Sequence, residues 1–190
     1  MQEKNARRKN VDRSTEMRAK LLAAARTLFV QSGYTETSTP DIARAADVTR
    51  GALYHHFSDK AALFQAVVEA EADALRQEID AGSMTGDNPL ADGSRAFFKA
   101  MSVPGRARIL LVDGPGLLGW RKMAEIDAGG GRAALRDGLG AVLDLEDQDL
   151  DALAAILSAG FDAAALAISD GAESKPYEAA FNLLMASLTA

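Results

Sequence analysis

Residues 33–68 read GYTETSTPDIARAADVTRGALYHHFSDKAALFQAVV. Ser38 and Asp41 have the spacing of a capping box, while Thr39-Pro40 offers a competing start with proline at the first helical position. Either register opens a short helix covering Ile42 to Ala46. Asp47-Val48 makes a turn, and Thr49 is placed to cap a third helix through Tyr54 to Phe57. Ser58 then caps a longer helix, with Ala62, Leu63, Ala66 and Val67 on its apolar side, running to about Asp80. Two short helices joined by so tight a turn have the helix-turn-helix layout, in which the second helix enters a major groove by its N-terminal end. The residues suit that task. Thr49 can offer its hydroxyl and the helix-start amides to a phosphate, and Arg50 is a forked cationic donor for base edges. Gly51 and Ala52 are small enough for close approach. Tyr54, His55 and His56 are consecutive, so at 100° per residue they cannot all face a core. Leu53 and Phe57 are the expected core anchors, and Lys60 is placed for a phosphate.

The segment before this one, Thr15 to Gln31, repeats Leu21, Leu22, Ala25, Leu28 and Phe29 at three- and four-residue intervals, the stripe of an amphipathic helix ending at Ser32-Gly33-Tyr34. With LLAAARTLF included, the stretch from Arg18 to Val68 resembles the N-terminal DNA-binding domain of the TetR family of transcriptional regulators. Gly33-Tyr34, Thr37-Ser38, Asp41-Ile42-Ala43, Val48, Gly51, Leu53-Tyr54, Phe57, Lys60 and Leu63-Phe64 carry the resemblance; Pro40 and His55 depart from it. The resemblance implies an all-helical homodimer with a small-molecule pocket in a divergent C-terminal domain and DNA-reading heads that ligand binding moves apart. It also implies that Ser38, Thr39, Thr49, Tyr54, His55 and Lys60 contact phosphates and that Arg50 and Gly51 read bases.

Composition is consistent with that reading. The chain has 190 residues, 48% hydrophobic and 25% charged, and no cysteine. Disulfide frameworks, thiolate metal sites and cysteine nucleophiles are thereby excluded. Alanine is the commonest residue and proline is scarce, which favours helix over strand. Charge is divided: Lys+Arg outnumber Asp+Glu by 11 to 7 through Lys60, while Asp+Glu outnumber Lys+Arg by 20 to 10 beyond it. A basic end on an acidic protein fits one face meeting a polyanion, although Arg7, Arg8 and Lys9 could equally be an idle tail or reach a minor groove. No run is read as reaching the roughly 18–20 apolar residues that span a bilayer, and Met1 to Lys20 has no signal-peptide core, so a cytoplasmic protein with no membrane partner is expected.

Beyond a linker signal at residues 81–89, the pattern continues helical, and the fold class expected is all-α, with a DNA-binding domain over residues 1–58 and a ligand and dimer domain over 59–190. Phe97, Phe98, Met101, Leu117, Trp120, Met123 and Phe161 are bulky residues in a domain rich in Ala and Gly. They either line a cavity or form the core, with Asp113, Arg121 and Glu125 as polar anchors. Two apolar helices close the chain. The first carries Leu153, Ile156, Leu157, Gly160, Ala164 and Ile168, and the second Tyr177, Phe181, Leu184, Met185 and Leu188. Their excess apolar surface points to a two-fold four-helix interface. Gly114 to Gly119 satisfies G-x-G-x-x-G, but no alternating strand pattern follows and Pro115 lacks an amide, so a helix–helix turn is the better reading and no nucleotide cofactor is expected. His55-His56 with Asp59 does not make a metal site, because adjacent helical side chains diverge. The expected protein is a ligand-responsive repressor, not an enzyme; its partners are a double-stranded palindromic operator, a second copy of itself and a small-molecule effector.

Overall fold

The computed structural model describes residues 2–83 and 88–188, with side chains from Arg13 onward. The side chains of Arg7, Arg8 and Lys9, and residues 84–87 of the linker, lie outside the described residues. Among those described the chain is all-α: α1 (Gln2–Glu36), α2 (Thr39–Ala45), α3 (Arg50–His56), α4 (Lys60–Ser83), α5 (Pro89–Met101), α6 (Arg106–Arg108), a π-helical turn (Ile109–Asp113), α7 (Gly114–Leu118), α8 (Trp120–Asp127), α9 (Gly131–Gly140), α10 (Asp147–Ser169) and α11 (Ser174–Leu188). They form two compact units, Met1–Val67 and Val68–Ala190.

The first unit is a small helical core. Leu21, Ala25, Phe29, Ile42, Leu53, Leu63 and Phe64 are fully buried in it. Each such large side chain contributes on the order of 1.5–3 kcal/mol by leaving water. Phe29, Tyr34 and Phe64 form a ring triangle with centroids 5.2–5.7 Å apart. Because Leu63 and Phe64 belong to this core, the unit extends past residue 58 into the first turns of α4. The periodic run of α1 stops at Gly33, whose φ of 79° and ψ of 167° break the helix where glycine alone sits without strain. The Thr37 hydroxyl donates to the Gly33 carbonyl at 2.7 Å and holds the turn closed.

The two readings of the α2 start resolve in favour of Ser38. Its hydroxyl accepts from the Asp41 amide at 3.3 Å and donates to the Asp41 carboxylate at 2.5 Å. The turn to α3 places Asp47 at φ 55°, a left-handed position that aspartate tolerates better than most residues. Thr49 caps α3 by accepting from the Ala52 amide at 3.2 Å. The cap of α4 is Asp59 and not Ser58: the Asp59 carboxylate takes the Ala62 amide at 2.7 Å, and the Ser58 hydroxyl is turned onto Asp59.

The second unit is built on four phenylalanines. Phe161 and Phe181 stack at 3.8 Å, with Phe97 at 4.9 Å and Phe98 at 5.6 Å from Phe161, all four buried. The expectation of no membrane-length apolar run needs correction, since α10 has 23 residues and contains an 18-residue window with a mean hydropathy of 1.8. The window passes on length and composition alone, a test that the core helix of a globular domain also meets. In the fold one face of α10 is packed through Leu150, Ala154, Ser158, Phe161, Ala164 and Ala165.

Candidate functional site

In the first unit the capped α3 presents Thr49, Arg50, Gly51, Tyr54 and His55 as exposed residues, with Ala52 and His56 half-buried and Leu53 and Phe57 inside. The α2 and α3 helices are fixed to one another by a hydrogen bond of 3.0 Å between the Thr39 and Tyr54 hydroxyls. The Arg50 guanidinium lies 5.8 Å from the Tyr54 ring centroid, and the hydrogen bonds of Thr39 and then Arg50 to the phenol hold the Tyr54 pKa below its ordinary value. Arg50 is therefore a cation laid along a ring at the helix start, with its fork clear of any carboxylate among the described residues. The Thr49 hydroxyl accepts as a cap and still has its proton to donate. Ser38 has no such reserve, since its proton goes to Asp41.

Lys60 departs most from the reading of it as a phosphate contact. Its ammonium donates to the carbonyls of Tyr34 at 2.8 Å, Thr37 at 3.0 Å and Thr35 at 3.4 Å, and sits 4.2 Å from the Tyr34 ring centroid. All three donors are used inside the unit, so Lys60 holds the end of α1 to the start of α4. Lys60→Ala is expected to cost about 2–3 kcal/mol of stability by stripping these carbonyls of their donor. Chemical denaturation checks this. A variant that keeps its stability and loses affinity for every DNA sequence alike would restore the phosphate reading.

The second unit divides the expected pocket residues between sites. Met101 and Met123 line a cavity of about 280 Å³, together with Leu75, Leu110, Leu166, Asp127 and Asp162. Phe97 and Phe161 line a separate cavity of about 130 Å³ beside Ile79, Leu90 and Ser158. Phe98 belongs to the aromatic cluster and borders a groove with Val103 and Ile168. Asp113 ion-pairs with Arg108 at 3.1 Å and lines neither cavity. Leu117 and Trp120 are exposed, and Arg121 packs over the Trp120 ring at 5.5 Å, while Glu125 pairs with Lys122. These five lie outside both cavities, although α7 and α8, separated by the break at Gly119 (φ 81°), each contribute other residues to the larger one. The glycine-rich stretch is thus part of a helix and its turn, not a phosphate loop.

Sequence reasoning missed the carboxylates. Burial pushes the Asp162 carboxyl up to about 7, with the charge of Asp127 adding to it. Burial also raises Asp127, against the opposing pull of Arg132, whose Nε lies 3.3 Å from the Asp127 carboxylate. The signal available was a single aspartate inside the apolar run of α10.

On the closing helices, Ala164, Phe181 and Met185 are buried within the protomer and do not present an outer face. Leu153, Leu157, Ile168, Tyr177 and Leu188 are half-buried, whereas Ile156, Gly160 and Leu184 are exposed. Leu183, which the sequence reading did not single out, is 74% exposed, and Ile156 is 71% exposed.

The sequence profile "Bacterial regulatory proteins, tetR family" matches residues 21–67, and "Tetracyclin repressor-like, C-terminal domain" matches residues 88–189. The chain is 39% identical over 85 residues to the transcriptional regulator AcrR of Shigella flexneri, covering 44% of this chain and 40% of that one. It is 41% identical over 63 residues to TtgR of Pseudomonas putida, covering 33% and 30%. It thus spans well under half the length of these curated relatives. Among solved structures, a TetR-family regulator of Pectobacterium atrosepticum is 29% identical with a TM-score of 0.66, covering 93% of this chain and 92% of that one. LfrR of Mycobacterium smegmatis, in complex with proflavine, has a TM-score of 0.61 at 19% identity, covering 93% and 96%. A helix-turn-helix head matched over residues 21–67 and a helical C-terminal domain matched over residues 88–189 show that the chain belongs to the TetR family of bacterial transcriptional regulators.

Proposed function

We propose that the chain is a repressor that binds a palindromic operator as a homodimer in the cytoplasm and is released by a small molecule entering the second unit. The observation that carries this is the capped α3, which leaves Thr49, Arg50, Gly51, Tyr54 and His55 exposed on a short helix braced by α2. One such helix reads only a few base pairs, so two are needed for a useful site, spaced by about 34 Å or a multiple of it. The bare apolar residues of α10 and α11 are the surface that would join two copies. The cavity beside Met101 and Met123 is the place for an effector, and LfrR, with the same fold, accommodates proflavine. An effector that prefers the released conformation by about 10–100-fold, or 1.4–2.8 kcal/mol, shifts the equilibrium enough for control.

In this reading Thr49, Tyr54 and His55 contact phosphates, with Thr39 fixing Tyr54, while Arg50 reads a base over the space left by Gly51 and Ala52; His56 stands at the edge. The test is selection from a random DNA library at two salt concentrations. One palindromic site with steeply salt-dependent affinity is the expected result. Arg50→Ala should then lower the preference for that site by about 10–100-fold while largely retaining non-specific binding. Salt-sensitive binding with no preferred site would make the protein an architectural DNA binder instead.

A further inference from the structure

The 280 Å³ cavity has an unbalanced charge inventory. Its wall is hydrocarbon and thioether apart from Asp127 and Asp162. The nearby cation is Arg132 of α9, and it is already committed: its Nε faces Asp127 at 3.3 Å and its Nη2 donates to the Ala124 carbonyl at 2.9 Å. Asp127 also accepts from the Arg132 amide at 3.3 Å, so its charge is compensated. Asp162 has no hydrogen bond or ion pair among the described residues. A carboxylate in an apolar wall with no partner is costly unless it is protonated or a cation joins it. Burial pushes its pKa up to about 7, so the half-buried carboxyl gives up its proton less readily than an ordinary aspartate.

Resting on the effector reading above, we propose that this cavity takes a lipophilic amine as its monocation, with the nitrogen at Asp162 and a hydrocarbon body of one or two rings against Leu75, Leu110, Met123 and Leu166. The volume is at the lower edge of drug-sized pockets, which sets that size. An anionic ligand meets two carboxylates, and a neutral one gains no charge pairing from Asp162. A divalent metal is disfavoured, since among the described residues no group of three or more His, Cys, Asp or Glu side chains is arranged to hold an ion. The two methionines that border the cavity, Met101 and Met123, are flexible and adapt to differing hydrocarbon shapes.

The experiment uses the full chain and two probes of nearly equal shape, 2-(1-naphthyl)ethylamine and 2-(1-naphthyl)ethanol, with binding measured by calorimetry at neutral pH. The amine should bind about 10–100-fold more tightly than the alcohol, the range of a hydrogen bond to a charged group. Asp162→Asn, which keeps the shape and removes the charge, should bring the two probes to similar affinity without lowering the melting temperature. Equal affinity of the probes for the unaltered chain, a preference for the amine that survives Asp162→Asn, or binding of neither probe would each overturn the assignment. Operator affinity is read separately on the same samples. Amine binding that depends on Asp162 but leaves operator affinity unchanged would keep the cation site and overturn the effector reading instead.

Discussion

Arg106→Met is expected to lower stability by about 3–5 kcal/mol. The guanidinium is only 5% exposed, and each part of its fork is used. Nε donates to Glu71 at 2.9 Å, Nη2 to Glu78 at 3.0 Å, and Nη1 to the Ala100 carbonyl at 2.8 Å. Burial works against the charge, but the hydrogen bonds to Glu78 and Glu71 outweigh it and raise the pKa of Arg106 above its ordinary value. Glu71 is itself 9% exposed at its side chain, so removing the cation takes a charge partner from a buried carboxylate. Arg106→Lys retains the charge but not the planar fork, and should recover only part of the loss. Adding Glu71→Gln to Arg106→Met should recover more, because it removes the buried charge. Denaturant titration of the four proteins checks the order. A loss under about 1 kcal/mol for Arg106→Met would mean that the network is solvated and the carboxylates do not depend on it.

If the proposed homodimer forms through α10 and α11, introducing glutamate at both Ile156 and Leu183 is expected to turn it into a monomer and reduce affinity for its selected DNA site by more than about 100-fold. Both side chains are more than two-thirds exposed on the protomer, so the change leaves its own core intact. Surface substitutions of this kind usually alter stability by no more than about 0.5 kcal/mol. In a two-fold interface each substitution occurs twice, so four carboxylates would be placed in the proposed apolar seam. Sedimentation and circular dichroism distinguish this from unfolding: mass should halve while helicity stays. Phe181→Ala is the contrasting case, because it opens the stacked aromatic core and should cost about 3–5 kcal/mol of stability before it affects assembly. A doubly substituted protein that remains a dimer would move the interface to another face.

The head was legible in the sequence because its determinants are local. Ser38 with Asp41, Thr49 with Ala52 and Gly33 at the end of a periodic run act over three or four residues, and spacing alone exposes them. Lys60 was not, because its partners are carbonyls 23 to 26 residues away and any residue type could supply them. Which residues of the closing helices face outward was not legible for a different reason. When Phe181, Leu183, Leu184 and Met185 are nearly consecutive, periodicity gives no phase, and only packing tells that Phe181 and Met185 turn inward while Leu183 turns out. The cavity depends on the breaks at Gly105 and Gly119, which orient α6 through α8, and on one aspartate hidden in an apolar helix.

The turn at Ile109–Asp113 has a bearing on how the cavity wall can change by descent. There the Gly114 amide reaches back to the Ile109 carbonyl, five residues away, so this turn holds one residue more than an α-helical turn would. The rod is bracketed by Gly105 and Gly119, both at positive φ, where a change in helical register can be absorbed. A chain lacking one residue in this turn can close the same rod with ordinary α-helical bonds. In doing so it would rotate Leu110 and Leu111 by about 100° relative to the residues that follow, and present a differently shaped wall. A single-codon deletion or insertion is therefore a route by which a lineage could exchange one ligand for another while the helices that carry the fold stay in place.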